Sequence, residues 1–141
     1  MICVQRRPST WLGLALTIAL LGCEAAPSPR GEPLHLRIEN DSTEPIRCVA
    51  ILAHFVTRPL PAIPETGSID LTLRRDRQDG SLSYGSHGTE AMMLENILCG
   101  SDSDWTTSAR DLPLQRLRSE PASRFTYRCA LEAAGMTCTP S

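Results

Sequence analysis

The sequence contains no lysine, so all 14 of its basic residues are arginines. These arginines are scattered along the chain and are outnumbered by 16 acidic residues, which gives a formal net charge of −2. Proteins that bind nucleic acid usually present a clustered basic surface to the phosphates. The composition therefore argues against nucleic-acid binding, and we attribute the missing lysine to codon usage in a GC-rich genome.

Aromatic residues are also scarce, at 4% of the chain. Beyond the N-terminal apolar run they are Phe55, Tyr84, Trp105, Phe125 and Tyr127. A chain of this size makes one domain, which we place at 34–141, and its core has little apolar surface to spare. We therefore expect the domain to need covalent reinforcement.

Sequence motifs of common catalytic sites are missing. The chain has no G-x-S-x-G elbow, no H-E-x-x-H pair and no glycine-rich phosphate loop. His35, His54 and His87 are not spaced with a second candidate ligand, and carboxylate pairs such as Glu90 and Glu95 occur in any protein of this size. The sequence thus predicts a protein that is not an enzyme and holds no cofactor or metal.

The apolar run near the N-terminus is too short to span a membrane. It covers 11–21, about eleven residues, whereas a transmembrane helix needs about 20. Arg6 and Arg7 precede it and small residues follow it, which is the order of a secretory signal. We predict a signal peptide at 1–22, whose removal would change the formal net charge from −2 to −4.

The run ends in Leu20-Leu21-Gly22-Cys23, which resembles the lipobox of bacterial lipoproteins. The resemblance covers only the signal and its cleavage site. It implies that the Cys23 thiol carries diacylglycerol, that the chain is cut just before it, and that the protein is anchored to a membrane of the cell envelope. Glu24 replaces the aspartate that marks inner-membrane retention, which favours the outer membrane facing the periplasm. In the alternative, the signal is an ordinary one and Cys23 is incidental.

Residues 23–33 are predicted to be a tether that begins with the lipidated Cys23. Pro27, Pro29 and Pro33 prevent a helix and favour an extended spacer. Because this spacer is short, we expect the domain to stay close to the lipid surface.

Four cysteines remain once Cys3 leaves with the signal and Cys23 carries lipid. An even set in an exported chain predicts two disulfides, with three possible connectivities. A hairpin between the segments at 125–131 and 136–138 would place Cys129 opposite Cys138, so we predict Cys129–Cys138 and Cys48–Cys99. The alternative is a structural zinc site, although no pair has the usual C-x₂₋₄-C spacing.

Alternation of apolar and polar residues predicts a mostly β domain. Strands are expected at 34–39, 68–73, 82–84, 125–131 and 136–138. The segment 46–56 has apolar residues at both odd and even positions. This favours a central strand that is covered on both faces over a short buried helix. For 92–99 a strand is favoured over a helix, and 112–117 is expected to be an edge strand or irregular. Six to eight such strands describe a small antiparallel β-sandwich, immunoglobulin-like in architecture, or a barrel.

Two functions are compatible with these features. The first is a non-catalytic interaction or accessory subunit of an envelope assembly, held at the membrane by its lipid and bound to an envelope protein. The alternative is a ligand-binding or inhibitor lipoprotein, similar to the small lipoproteins that block lysozymes. An inhibitor would use a polar loop, for which the candidates are 74–80 and 100–110.

Overall fold

The computed structural model describes residues 31–85 and 90–141. The predicted signal, Cys23 and most of the predicted tether lie outside the described residues. Nine strands are found in the described part: β1 (Glu32–Asn40), β2 (Ile46–Leu52), β3 (Val56–Pro59), β4 (Ser68–Arg75), β5 (Leu82–Tyr84), β6 (Met92–Ser101), β7 (Arg110–Asp111), β8 (Arg124–Glu132) and β9 (Gly135–Pro140). A 3-10 turn (Ala53–Phe55) and two short helices, α1 (Trp105–Ser108) and α2 (Gln115–Ser119), complete them.

All nine strands belong to one mixed sheet. The order is β3-β2-β6-β5-β4-β1-β8-β9, and β7 pairs with β6 outside this path. β6 also contacts β8 and β9, which are far from it in the sheet order. The sheet must therefore fold over on itself, which gives the mostly β, sandwich-like architecture that the sequence predicts.

One strand pair departs from the expected antiparallel pattern, because β1 and β8 run parallel. Between β7 and β8 the chain passes through α2, a crossover that brings β8 in alongside β1 in the same direction. The connection between these two parallel strands is the long segment 41–123, since a hairpin joins only antiparallel neighbours. The sandwich is thus mixed rather than wholly antiparallel.

The core lies on one face of the sheet. In β1 the side chains of Leu34, Leu36 and Ile38 are fully buried, and the residues between them face outward. The strand begins at Glu32, two residues before the predicted start, so Glu32 and Pro33 belong to the domain and not to the tether. Burial of about 1.5–3 kcal/mol per large aliphatic side chain explains why this alternation sets the register.

The segment 46–56 is not one strand covered on both faces. Its burial alternates along β2, which ends at Leu52, and the chain then turns through 53–55 and pairs back as β3. His54 and Phe55 make this turn with left-handed φ angles of 61° and 59°. Phe55 gives no signal for such a turn, so the largely apolar segment conceals the reversal.

The segment 112–117 is not an edge strand: 112–114 is irregular, as the alternative prediction had it, and 115–117 belongs to α2. Leu112, Leu114 and Leu117 are all buried, the last of them within α2. The Tyr127 hydroxyl donates a hydrogen bond of 2.6 Å to the carbonyl of Pro113 and holds the segment on β8. Burial raises the pKa of this Tyr127 hydroxyl.

The two disulfides are those predicted, Cys48–Cys99 between β2 and β6 and Cys129–Cys138 between β8 and β9. In each bond the two residues stand directly opposite one another in the strand register. The sulfur atoms of Cys99, Cys129 and Cys138 lie within 4.8 Å of one another. The two bonds therefore pack against each other where the folded sheet meets itself. Since all four sulfurs are bonded in pairs, none is a thiolate ligand in this state.

The domain has two ends, which we name by the strand register. A row of paired residues crosses the sheet at one of them, where β1 begins and β2 gives way to β3: Glu32, Arg75, Leu82, Leu94, Leu52 and Val56. We call this the tether end, because the chain enters the domain at Glu32.

The other end is defined by the connection from β1 to β2. β1 ends at Asn40, and only residues 41–45 separate it from Ile46, so both lie at one end although they belong to opposite halves of the folded sheet. Ile46 pairs with Ser101, and Asn40 pairs with Cys129. We call this the distal end, and it includes both disulfides.

We expect the two disulfides to differ in their effect on stability. Cys48–Cys99 spans 51 residues and Cys129–Cys138 spans 9. Chain entropy then gives about 4 kcal/mol for the first bond and about 2.7 kcal/mol for the second. Chemical denaturation of the Cys48→Ala/Cys99→Ala and Cys129→Ala/Cys138→Ala variants should show the larger loss in the first. An equal or larger loss in the second would contradict this account.

Candidate interaction surface

The residues considered for acid–base chemistry lie on separate elements. His35 is on the outward face of β1, and His54 is exposed in the turn after β2. Glu90 precedes β6 and Glu95 is exposed within it. His87 lies outside the described residues. The four of these residues that the structure describes are thus spread over β1, the turn after β2 and the β6 region.

The first inhibitor-loop candidate, 74–80, is built into the tether end of the domain. Arg75 is 4% exposed. Its guanidinium donates to the Glu32 carboxylate and to the carbonyl oxygens of Leu117, Glu120 and Ala122, at 2.9 Å for Leu117 and 3.0 Å for Ala122. Each of its five N–H donors thus has an acceptor. Arg75 joins β4 to β1 and to the end of α2, so it is not available to bind a partner.

The rest of this loop is held in the same way. Arg74 donates to the carbonyl of Gly31 at 3.1 Å, and Arg77 donates to Glu32 at 2.7 Å. Gly80 has a left-handed φ of 72°, and a Cβ there would lie 2.7 Å from the carbonyl oxygen of Arg118. A loop whose arginines serve these internal bonds is a structural connection.

Glu32 is the acidic group of this network. Hydrogen bonds from Arg75 and then from Arg77 lower the pKa of its carboxyl below the ordinary 4.5. A carboxyl whose pKa is lowered on folding stabilises the fold above its unfolded pKa and loses that contribution as the pH falls through the folded pKa.

We expect acid to weaken the tether end through Glu32. In the wild type, the melting temperature should fall as the pH drops below 4.5, the ordinary pKa of this group. Glu32→Gln should already be less stable at neutral pH, because Arg75 loses its countercharge, and its difference from the wild type should vanish in acid. Thermal unfolding across this pH range tests the expectation. Glu65→Gln, at an exposed loop position, is the control. If the melting temperatures of Glu32→Gln and the wild type ran parallel across the pH range, the role given to Glu32 would be contradicted.

The second candidate loop, 100–110, is an ordered structure around α1. The amide of Ser101 donates to the Ser108 hydroxyl at 2.8 Å, and that hydroxyl donates to the Asp104 carbonyl at 2.5 Å. On its outer side the Arg47 guanidinium stacks over the Trp105 ring at 4.6 Å. Trp105 is half-buried and covers part of β2, as a cap rather than a free anchor. These bonds hold the segment rigid at the distal end.

A groove separates α1 from the turn between β8 and β9. We call it the distal groove; its volume is about 260 Å³ and its lining residues are Ser101, Asp104, Thr107, Ser108, Arg110 and 131–135. Leu131 is 36% exposed at its rim. The small side chains of Ala133 and Ala134 also line it, and its carboxylates are Asp104 and Glu132.

Arg110 fixes the walls of the distal groove. Its guanidinium donates to the carbonyls of Thr107 and Ala109, at 2.9 and 2.8 Å, and also to that of Ala134. Gly135 allows this approach, because a Cβ there would lie 2.7 Å from the guanidinium carbon. The groove is therefore preformed. The sequence pattern gave no signal for it, since it depends on contacts between segments that are far apart in the chain.

In residues 31–85 and 90–141, no helix has the length and apolar character to cross a bilayer.

Comparisons with known proteins give no family for this chain. No family model matches it, and no curated protein matches it. One solved structure is similar, the NMR structure of a protein from Eubacterium rectale, with 10% identity over 77% of this chain and 88% of that chain and a TM-score of 0.44. A likeness this distant carries no argument about function.

Proposed function

We propose that this protein is a lipid-anchored lipoprotein of the cell envelope that acts as a non-catalytic accessory subunit and binds a protein partner through its distal groove. The anchor is the Cys23 thiol within Leu20-Leu21-Gly22-Cys23. Two or more acyl chains make such an attachment stable, whereas one gives only marginal binding. The proposal places the domain in the periplasm, tethered to the outer membrane.

The start of β1 supports a short tether. Residues 24–31 separate Cys23 from Glu32, the first residue of β1. At about 3.5 Å per extended residue the spacer reaches about 30 Å. A partner of this domain must therefore come to the membrane surface, as a component of an envelope assembly would.

The position of the distal groove is the observation that carries the proposal. The groove lies at the end of the domain opposite to Glu32, where the tether enters. A groove at that end is directed away from the lipid and toward other envelope proteins. Its rigid walls reduce the ordering that binding requires.

The chemistry of the distal groove indicates the kind of partner. Leu131 and the two alanines offer an apolar contact. The carboxylates beside it, Asp104 and Glu132, outnumber the one cation of the lining, Arg110, whose guanidinium is bonded to three carbonyl oxygens. We expect the partner to insert an apolar side chain that is flanked by basic residues. Charge complementarity of this type gives register and a faster encounter.

We expect Cys23→Ser to abolish lipidation and the anchoring that depends on it. Without the thiol there is no acceptor for diacylglycerol, so the variant should be found uncleaved or soluble and should carry no acyl mass. Fractionation of cells followed by mass spectrometry measures both properties. Cys3→Ser, within the predicted signal, is the matched control and should remain anchored. Normal anchoring of Cys23→Ser would rule out the lipoprotein assignment.

We expect Leu131→Arg to prevent partner binding without unfolding the domain. The substitution puts a cation where the proposed basic partner docks, and Leu131 is already partly exposed. Mild crosslinking and co-purification of the tagged full-length protein from native membranes should yield one stoichiometric envelope protein. That protein should be lost in Leu131→Arg and kept in the control Glu65→Arg, whose residue is exposed in the β3–β4 connection.

Absence of any partner from the wild-type preparation would contradict the accessory role. The rigid segment at 100–110 would then favour the alternative, in which the protein inhibits an enzyme such as a lysozyme by placing this segment in its cleft. Inhibition of lysozyme by the purified protein would establish that alternative directly.

A further inference from the structure

Large apolar side chains are exposed together at the tether end. Phe55 is 88% exposed, Met93 54% and Val56 40%. Leu52 pairs with both Val56 and Leu94, the residue that follows Met93, and the turn at 53–55 contacts β6. Single exposed apolar residues are ordinary in proteins. Here three such residues lie at one end of a small domain, with Phe55 in the turn and with Val56 and Met93 on opposite faces of the sheet. We call these three residues the Phe55 patch.

The backbone holds Phe55 in its exposed position. Its φ of 59°, and the 61° of His54 before it, lie in the left-handed region that glycine and asparagine tolerate best. The aromatic ring thus stands at the tip of a tight turn between two paired strands.

The tether brings this end of the domain to the lipid. Glu32 belongs to the same row of paired residues as Leu52 and Val56, so the spacer of residues 24–31 joins the domain at the end that carries the Phe55 patch. An anchor at Cys23 confines that end to within about 30 Å of the bilayer. Once the anchor holds the domain, its surface is present at a high effective concentration next to the bilayer. Even a weak second contact with the lipid can then form.

We propose that the Phe55 patch docks on the lipid bilayer and fixes the orientation of the anchored domain. Phe55 enters the boundary between headgroups and acyl chains, where aromatic side chains are favoured. The distal groove then points away from the membrane. This inference depends on the lipid anchor of the proposed function, and adds to it a second membrane contact and a fixed orientation.

Tryptophan fluorescence of the lipidated full-length protein in vesicles tests the docking. After removal of the signal the wild type has one tryptophan, Trp105, which lies at the distal end and serves as the built-in control. The probe is the variant Phe55→Trp/Trp105→Phe, and the vesicles contain phosphatidylethanolamine and phosphatidylglycerol with or without brominated acyl chains. We expect bromination to reduce the emission of the probe, because the indole would reach the acyl-chain boundary, and to leave the wild-type emission unchanged.

Separate outcomes distinguish the docking from the anchor. A probe that floats with the vesicles but is not quenched overturns the docking and leaves the anchor intact. Protein that does not float at all overturns both. Quenching of Trp105 in the wild type contradicts the proposed orientation. If the probe is shielded in native membranes but not in vesicles, a protein and not the lipid covers the patch, and the docking proposal is overturned. If Trp105→Phe impairs folding, Phe55→Trp alone is used and the wild-type emission is subtracted.

Discussion

The buried guanidinium of Arg75 is the interaction on which the tether end depends. It connects the start of β1, the end of β4 and the C-terminal side of α2, and its charge is balanced by Glu32. Removing Glu32 would leave the buried charge of Arg75 without its countercharge. Glu32 is also the first residue of β1, so the domain meets its spacer at this network. The same end carries the Phe55 patch, and the disulfides reinforce the opposite end.

The sequence predicted what depends on local alternation. The strands at 34–39 and 68–73 follow from the alternation of apolar and polar residues. The hairpin around 132–135 placed Cys129 opposite Cys138. That pairing left Cys48–Cys99 as the second bond. These inferences succeed because each needs only residues that are near in the chain, or the elimination of alternatives.

What could not be predicted depends on contacts between distant segments or on a backbone without a sequence signal. The parallel pairing of β1 with β8 joins residues about 90 positions apart. His54 and Phe55 turn the chain although neither is a turn former. Arg75 looks like a solvated charge in the sequence, and only the fold surrounds it with acceptors. The distal groove was unforeseen for the same reason, whereas the segment 100–110 that forms one of its walls was a candidate surface.

In the proposed function the domain has two functional ends, one toward the lipid and one toward a partner, and both assignments depend on the modification of Cys23. Intact-mass spectrometry of the protein isolated from its native membranes tests that claim most directly. We predict a chain that begins at Cys23 and is heavier than its sequence by a diacylglycerol group, with a further acyl chain on the new N-terminus where the cell adds one. A chain of unmodified mass, whether it begins at Met1 or at a residue after Cys23, would contradict the account.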